Sequence, residues 1–129
     1  MKNSIGGTME INWKAGIDEH MNVHKTNGVW YLTYPVFEEI PEIVHGFSTR
    51  LGGVSRGDCT SMNLSFARGD REEDVRENYR RLAAAVGFSP EQIVCSDQTH
   101  TTNVRVVTEA DRGKGISIPR DYTDVDGLV

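Results

Sequence analysis

The chain has 129 residues, 37% hydrophobic and 26% charged, the proportions of a single globular domain on the polar side. Fourteen Lys and Arg against nineteen Asp and Glu give a net charge of −5, which makes nucleic acid a poor partner. No apolar run approaches the roughly 20 residues that cross a bilayer, residues 1–8 have no apolar stretch for an export signal, and Cys59 and Cys95 form no CxxC pair, so the expected setting is a reducing cytoplasm with two free thiols.

Residues 1–27 are polar and weakly periodic and read as a flexible lead-in, with a loosely held strand near Ile11-Asn12-Trp13 and an alternative start at Met9. His20 and His24 stand at i, i+4, a metal-binding spacing on a helix, but Asn22, Asn27 and Gly28 argue against a helix, and both read as surface histidines. Residues 28–129 are expected to form the structured part. Val29 to Tyr34 is rich in aromatic and β-branched residues and predicts a strand, which Pro35 ends or places at an edge. Ile43 to Thr49 predicts a second strand. Arg50 to Asp58 carries three glycines, the mark of backbone that needs positive φ or close approach.

The firmest expectation is a helix from about Arg71 to Val86. Asp70 with Glu73 makes a capping-box pattern, acidic residues crowd the first turn, and Val75, Tyr79, Leu82 and Val86 form one apolar stripe. Gly87 suits its end. Ser89-Pro90 opens a further helical turn. Two apolar runs, Ile93-Val94-Cys95 and Val104 to Val107, flank a polar patch and predict strands around His100. After Thr108 the chain turns polar, Arg112 to Gly115 and Pro119 to Tyr122 look like a long exposed loop, and Asp124 to Val129 begins a last strand. This order predicts an α+β domain with a mixed sheet and one long helix. The apolar run at Leu128-Val129 reads as a domain cut partway, or as a short edge strand.

Four side chains converge on polar chemistry. His100 is expected at a strand end, suited to ligating a metal or moving protons, or else capping a turn. Gln98, two residues earlier, would share its face. Arg50 offers a fork for phosphate or carboxylate, or pairs with a surface carboxylate. Asn63 follows the glycine loop and either meets a ligand or holds a turn. The loop amides could cradle an anion, although no Walker or GxGxxG pattern is present. Cys95 reads as core, and Ser48 and Ser55 lack an elbow motif.

His45 to Ser55 (HGFSTRLGGVS), Ser61-Met62-Asn63-Leu64, Gly69-Asp70, Val75 to Leu82, Asp97-Gln98-Thr99-His100 and Asp124 to Val129 together resemble, in order, the blocks of the YfiH-type or laccase-domain family. The resemblance implies a CNF/YfiH-like fold and a zinc-dependent purine nucleoside phosphorylase that converts adenosine, inosine or guanosine and phosphate to base and ribose 1-phosphate. Adenosine deaminase and methylthioadenosine phosphorylase activities are implied as well. Phenol oxidation with copper, the older family description, is the alternative. So is a non-catalytic binding or assembly fragment. The family's metal ligands are the Q-x-H histidine, here His100, and a cysteine and a histidine from blocks this sequence does not contain. The expectation is an N-terminal half, inactive alone, whose partners are a purine nucleoside, phosphate and the missing half, on the same or another chain. Arg50, Asn63 and Gln98 are expected at the substrate and His100 at the metal and in catalysis.

Overall fold

The computed structural model describes residues 20–129. The expected strand at residues 11–13 and the alternative start at Met9 lie outside these. Among the described residues, strand β1 (Asn22–Thr26) pairs antiparallel with β2 (Val29–Thr33) through a two-residue turn. Asn27 and Gly28 take φ of 51° and 82°, the left-handed pair that a tight hairpin of this twist requires. The boundary expected between residues 27 and 28 therefore falls inside a hairpin. Asn27 and Gly28, which argued against a helix, are the turn itself.

Pro35 starts the short helix α1 (Pro35–Glu38). Glu38 then reaches back to the hairpin. It accepts hydrogen bonds from Asn22 Nδ2 at 2.7 Å and from Thr33 Oγ1, and His24 Nε2 lies 3.0 Å from its Oε1. The thiols of Cys59 and Cys95 are free. The strand expected at 43–49 shrinks to β3 (Phe47–Ser48), which joins the other edge of β2. The contact runs on past the strand, since Trp30 O accepts from the Thr49 amide at 3.2 Å and Trp30 N donates to Leu51 O at 3.4 Å.

Helix α2 (Glu72–Val86) is where the periodicity placed it. Its start differs. Arg71 occupies the cap position, with no side-chain cap bond. Asp70 instead accepts from the Arg71 amide at 2.9 Å and from Asn63 Nδ2 at 3.0 Å, so it ties the preceding loop to the helix entrance. Gly87 ends the helix in the left-handed region, its amide bonded to Ala83 O at 2.8 Å.

The core lies between α2 and the three-stranded sheet. Val29, Met62 and Ala85 are buried there, with Tyr31, Leu64 and Leu82 packed around them. Fully burying a valine contributes roughly 1.5–3 kcal/mol, and Val29 and Val75 are both sealed from solvent. Among the described residues, the one polar side chain sealed as completely is Asn78. Its Nδ2 donates to Ser55 Oγ at 2.8 Å, Asn63 O at 2.8 Å and Ser61 O at 3.2 Å, and its Oδ1 accepts from the Val54 amide at 2.8 Å. The helix thereby holds the glycine loop by its backbone. Gly53 shows how close the approach is: a Cβ there would stand 2.0 Å from Ser61 O and 2.6 Å from Asn78 Oδ1.

The remaining strands form a separate sheet. Strand β4 (Val104–Arg105) and β5 (Gly127–Leu128) pair in parallel. The α+β class holds, with strands of both senses divided between two small sheets. Ile93-Val94-Cys95 is not a strand. It is held by Gly113 N donating to Ile93 O and Cys95 N to Lys114 O, both at 2.9 Å. Nor is the stretch after Thr108 a loose loop. Thr108 and Asp111 form a capping box around a single 3-10 turn, and the buried Asp111 pairs with Lys114 Nζ at 2.7 Å. That ammonium, first, holds the Asp111 carboxyl down at about 2.

Replacing Asn78 with alanine leaves one amide, one hydroxyl and two carbonyls without their shared partner. We expect Asn78→Ala to lose about 2–4 kcal/mol in urea unfolding, as stranded buried polar groups do. A loss below ~1 kcal/mol would show that the loop is held by other means.

Candidate functional site

The polar patch at His100 is built by one carboxylate. Asp126 Oδ1 accepts from the His100 amide at 2.9 Å. Its Oδ2 accepts from the amides of Thr99 at 3.2 Å and Thr101 at 2.8 Å, and from Thr101 Oγ1 at 2.8 Å. Three successive amides thus point at one anion, the arrangement that makes a backbone nest. These donors, Thr101 foremost, hold the Asp126 carboxyl down at about 2, because each favours the charged form.

Asp124 completes the clamp. It accepts from Thr99 Oγ1 and, at 2.9 Å, from Asn103 Nδ2. Asn103 O in turn receives the amides of Asp126 at 3.0 Å and Gly127 at 3.1 Å. Asp97 and Val125 exchange backbone bonds of 2.9 and 3.0 Å, and Arg120 Nη2 pairs with Asp97 at 2.7 Å. Residues 97–103 are therefore pinned to residues 124–127 along both sides.

The consequence falls on His100. Its φ is +65°, a left-handed conformation uncommon for a residue with a side chain, and its side chain is exposed. It sits in a bend rather than at a strand end, so the strand rule that placed Gln98 and His100 on one face does not apply here. Gln98 lines a cavity of about 900 Å³. That cavity is walled by Phe66, Tyr79, Cys95, Ile116 and Leu128, with Arg76, Arg120 and Glu72 at its polar parts. Neither His100, Arg50 nor Asn63 lines it.

Arg50 is exposed, and its backbone carbonyl receives Ser61 N at 3.0 Å, Met62 N at 3.1 Å and Ser61 Oγ at 2.9 Å. Asn63 is an organiser of its own turn. Both its amide protons are spent, on Ser65 O and Asp70 Oδ2 at 3.0 Å each, and its Oδ1 takes the Ser65 amide at 3.0 Å. Only the second lone pair on Oδ1 is left for a ligand. The glycine loop offers little to an anion: the amides of Leu51, Gly53, Val54 and Ser55 all donate within the chain.

Tyr79 and Cys95 meet inside the cavity. Tyr79 Oη donates to Leu64 O at 2.7 Å and lies 3.8 Å from Cys95 Sγ. Burial first, then the neighbouring sulfur, pushes the phenol well above its ordinary value, so it stays protonated. Cys95, read from the sequence as core, is half-buried and faces the cavity.

Among the described residues no three His, Cys, Asp or Glu side chains come together as a metal site. His100 is a single imidazole, and the two carboxylates beside it are already committed to amides, hydroxyls and Asn103. A catalytic zinc takes three protein ligands and an open position, so these residues do not by themselves fit one.

Two residues of this construction were not legible in advance. Asp126 and Asn78 both act at long range, and the one available signal was for Asn78: it lies three residues after Val75, on the apolar stripe, as the stripe's polar member.

Comparison with known proteins gives a consistent picture. Residues 44–129 match the family described as multi-copper polyphenol oxidoreductase laccase. The purine nucleoside phosphorylase YlmD of Geobacillus stearothermophilus is 42% identical over 86 residues, which is 66% of this chain and 31% of that protein. The crystal structure of YlmD from the same organism superposes with a TM-score of 0.67 at 30% identity, covering 86% of this chain and 40% of the other. The Bacillus licheniformis hypothetical protein YfiH superposes equally well, at 25% identity, over 80% of this chain and 37% of its own. The chain thus spans about a third of the length of the first of these relatives.

The Asp126 clamp has a pH signature. A carboxyl whose folded value is lowered contributes stability that is present above its unfolded value near 4 and lost as pH falls through its folded value. The amide resonances of Thr99, His100 and Thr101 should therefore move together with a midpoint near pH 2. In Asp126→Ala that shared transition should vanish. A midpoint near 4 in the unsubstituted chain would mean that the three amides do not hold the carboxylate.

Proposed function

The chain belongs to the multi-copper polyphenol oxidoreductase laccase family, and from that premise we propose that it is part of a purine nucleoside phosphorylase. The substrates of this reading are adenosine, inosine or guanosine with phosphate. An oxygen of phosphate replaces the base at C1′ of the ribose, and the base departs with the bonding electrons and is protonated. Adenosine deamination and phosphorolysis of methylthioadenosine are further activities of the same centre in this reading.

The observation that carries it is the way the Q-x-H block is built. The chain commits two carboxylates and an asparagine to hold the backbone at His100, whose side chain is exposed, in an uncommon conformation. Such an arrangement costs conformational freedom and is retained where the side chain has work to do. His100 is assigned a place at the metal, zinc in this reading and copper in the alternative, with the other ligands on polypeptide beyond these residues. Gln98, at the cavity wall, is assigned to the nucleoside. Arg50, exposed and with a planar fork, is assigned to phosphate, the anion it fits best. Asn63 contributes chiefly by holding its turn. The cytoplasm, where nucleosides and phosphate are both at hand, is the setting.

The reading is tested by joining this chain to the portion of Geobacillus stearothermophilus YlmD that it does not match. The isolated chain should neither bind zinc tightly nor release base from inosine. The joined protein should do both, and His100→Ala in it should lower kcat/KM by at least about 100-fold, the scale on which lost metal support shows. Turnover by the isolated chain, or turnover that survives His100→Ala, would overturn the assignment. Stoichiometric copper with oxidation of phenols would favour the other chemistry.

A further inference from the structure

Helix α1 is held at its two ends by histidines whose protons sit on opposite nitrogens. At its start the Tyr34 amide donates to His45 Nε2 at 2.8 Å. An amide has only a proton to give, so Nε2 is bare and the neutral ring carries its proton on Nδ1. At its end His24 Nε2 lies 2.6 Å from Thr33 Oγ1 and 3.0 Å from Glu38 Oε1. Thr33 gives its one hydroxyl proton to Glu38, so the nitrogen facing both oxygens must carry a proton of its own. His24 therefore has Nε2–H, and its free position is Nδ1.

A second proton does opposite things at the two ends. On His45 it lands on Nε2 and sets N–H against N–H, which breaks the bond to Tyr34. On His24 it lands on Nδ1, away from the contact. Nε2–H stays where it is, now part of a cation opposite a carboxylate. Glu38 remains charged meanwhile, because the Thr33 hydroxyl first, then Asn22 Nδ2, hold its carboxyl below its ordinary range. The ionisable groups facing His24 are this carboxylate on α1 and, on β2, the phenol of Tyr31, whose ring stacks on the imidazole at 5.0 Å. His45 faces the ring of Tyr34, stacked at 6.4 Å, and the edge of Phe37 at 5.3 Å. Among the described residues its one hydrogen bond is that to the Tyr34 amide.

What His45 closes is a loop. Residues 39–44 are exposed, and their backbone bonds are local, from Ile40 N to Phe37 O at 3.2 Å and from Ile43 N to Ile40 O at 3.0 Å. Beyond His45 the chain is fixed again. A Cβ on Gly46 would stand 3.1 Å from Val86 Cγ2, and Phe47 and Ser48 pair with β2. The part free to move thus runs from the end of α1 to His45.

We propose that His45 and His24 make this loop a pH-sensitive latch. Proton uptake in the imidazole range opens it at the Tyr34 junction, while α1 stays clasped to the hairpin through Glu38. The opened segment leads directly into β3 and on to Arg50. The latch is independent of the function proposed above.

The test follows the full chain by NMR from about pH 8 to about pH 5, the range in which imidazoles charge. At the upper end, long-range nitrogen–proton spectra should show His45 protonated on Nδ1 and His24 on Nε2. At the lower end, the Tyr34 amide should have lost protection from solvent exchange at least about tenfold, the scale of one hydrogen bond. The amides of Phe37 and Glu38 should keep theirs. In His45→Ala the Tyr34 amide should be unprotected at both ends of the range, and the step should disappear. A proton on Nε2 of His45 at the upper end would overturn the proposal. So would a Tyr34 amide indifferent to pH, a step that persists in His45→Ala, or loss of protection at Phe37 and Glu38 together with Tyr34.

Discussion

One carboxylate organises the loop that carries His100. Asp126 collects the amides of Thr99, His100 and Thr101 and a hydroxyl from Thr101. Without an acceptor there, three adjacent amides would have to find water, and the uncommon left-handed conformation at His100 would lose the bonds that hold it. The carboxylate offsets that local cost and leaves the imidazole facing outwards. Asp124 and Asn103 extend the same bracing along the loop.

A second polar hub holds the glycine loop to the helix. Asn78, on the buried side of α2, substitutes for a strand partner by bonding the backbone of residues 54, 61 and 63 and the hydroxyl of Ser55. The glycine loop is then a structural seam, with its amides used inside the chain. The expectation of an anion cradle there was reasonable from glycine content alone, since the same backbone freedom serves close packing and ligand approach. Only the position of Asn78 distinguishes the two.

What the sequence made legible follows the range of the interactions involved. The helix from residue 72 to 86 was readable because its stripe, acidic first turn and terminal glycine are all local. The hairpin turn at Asn27-Gly28 carries an equally local signal, but the strand before it, Asn22–Thr26, is mostly polar and lacks a strand's apolar signature. Asp126 reaches His100 across 26 residues, and no propensity or period records such a bond. The apolar run at 93–95 read as a strand because composition cannot tell a laddered segment from one tied down by two bonds, Gly113 N to Ile93 O and Cys95 N to Lys114 O. The polar stretch after Thr108 read as exposed because its charges pair with one another: Asp111 is buried against Lys114. The ordered blocks that resemble the laccase-domain family proved the most informative feature, because together they encode the long-range pairing that no single block reveals.

The central claim is that the loop pinned by Asp126 delivers the His100 ring to a metal. Zinc X-ray absorption on the chain joined to the unmatched portion of Geobacillus stearothermophilus YlmD tests it most directly. The account predicts imidazole nitrogen scattering at about 2.0–2.1 Å in the unsubstituted protein, one nitrogen fewer in His100→Ala, and a disordered or weakened shell in Asp126→Ala. Identical spectra from all three proteins would contradict it.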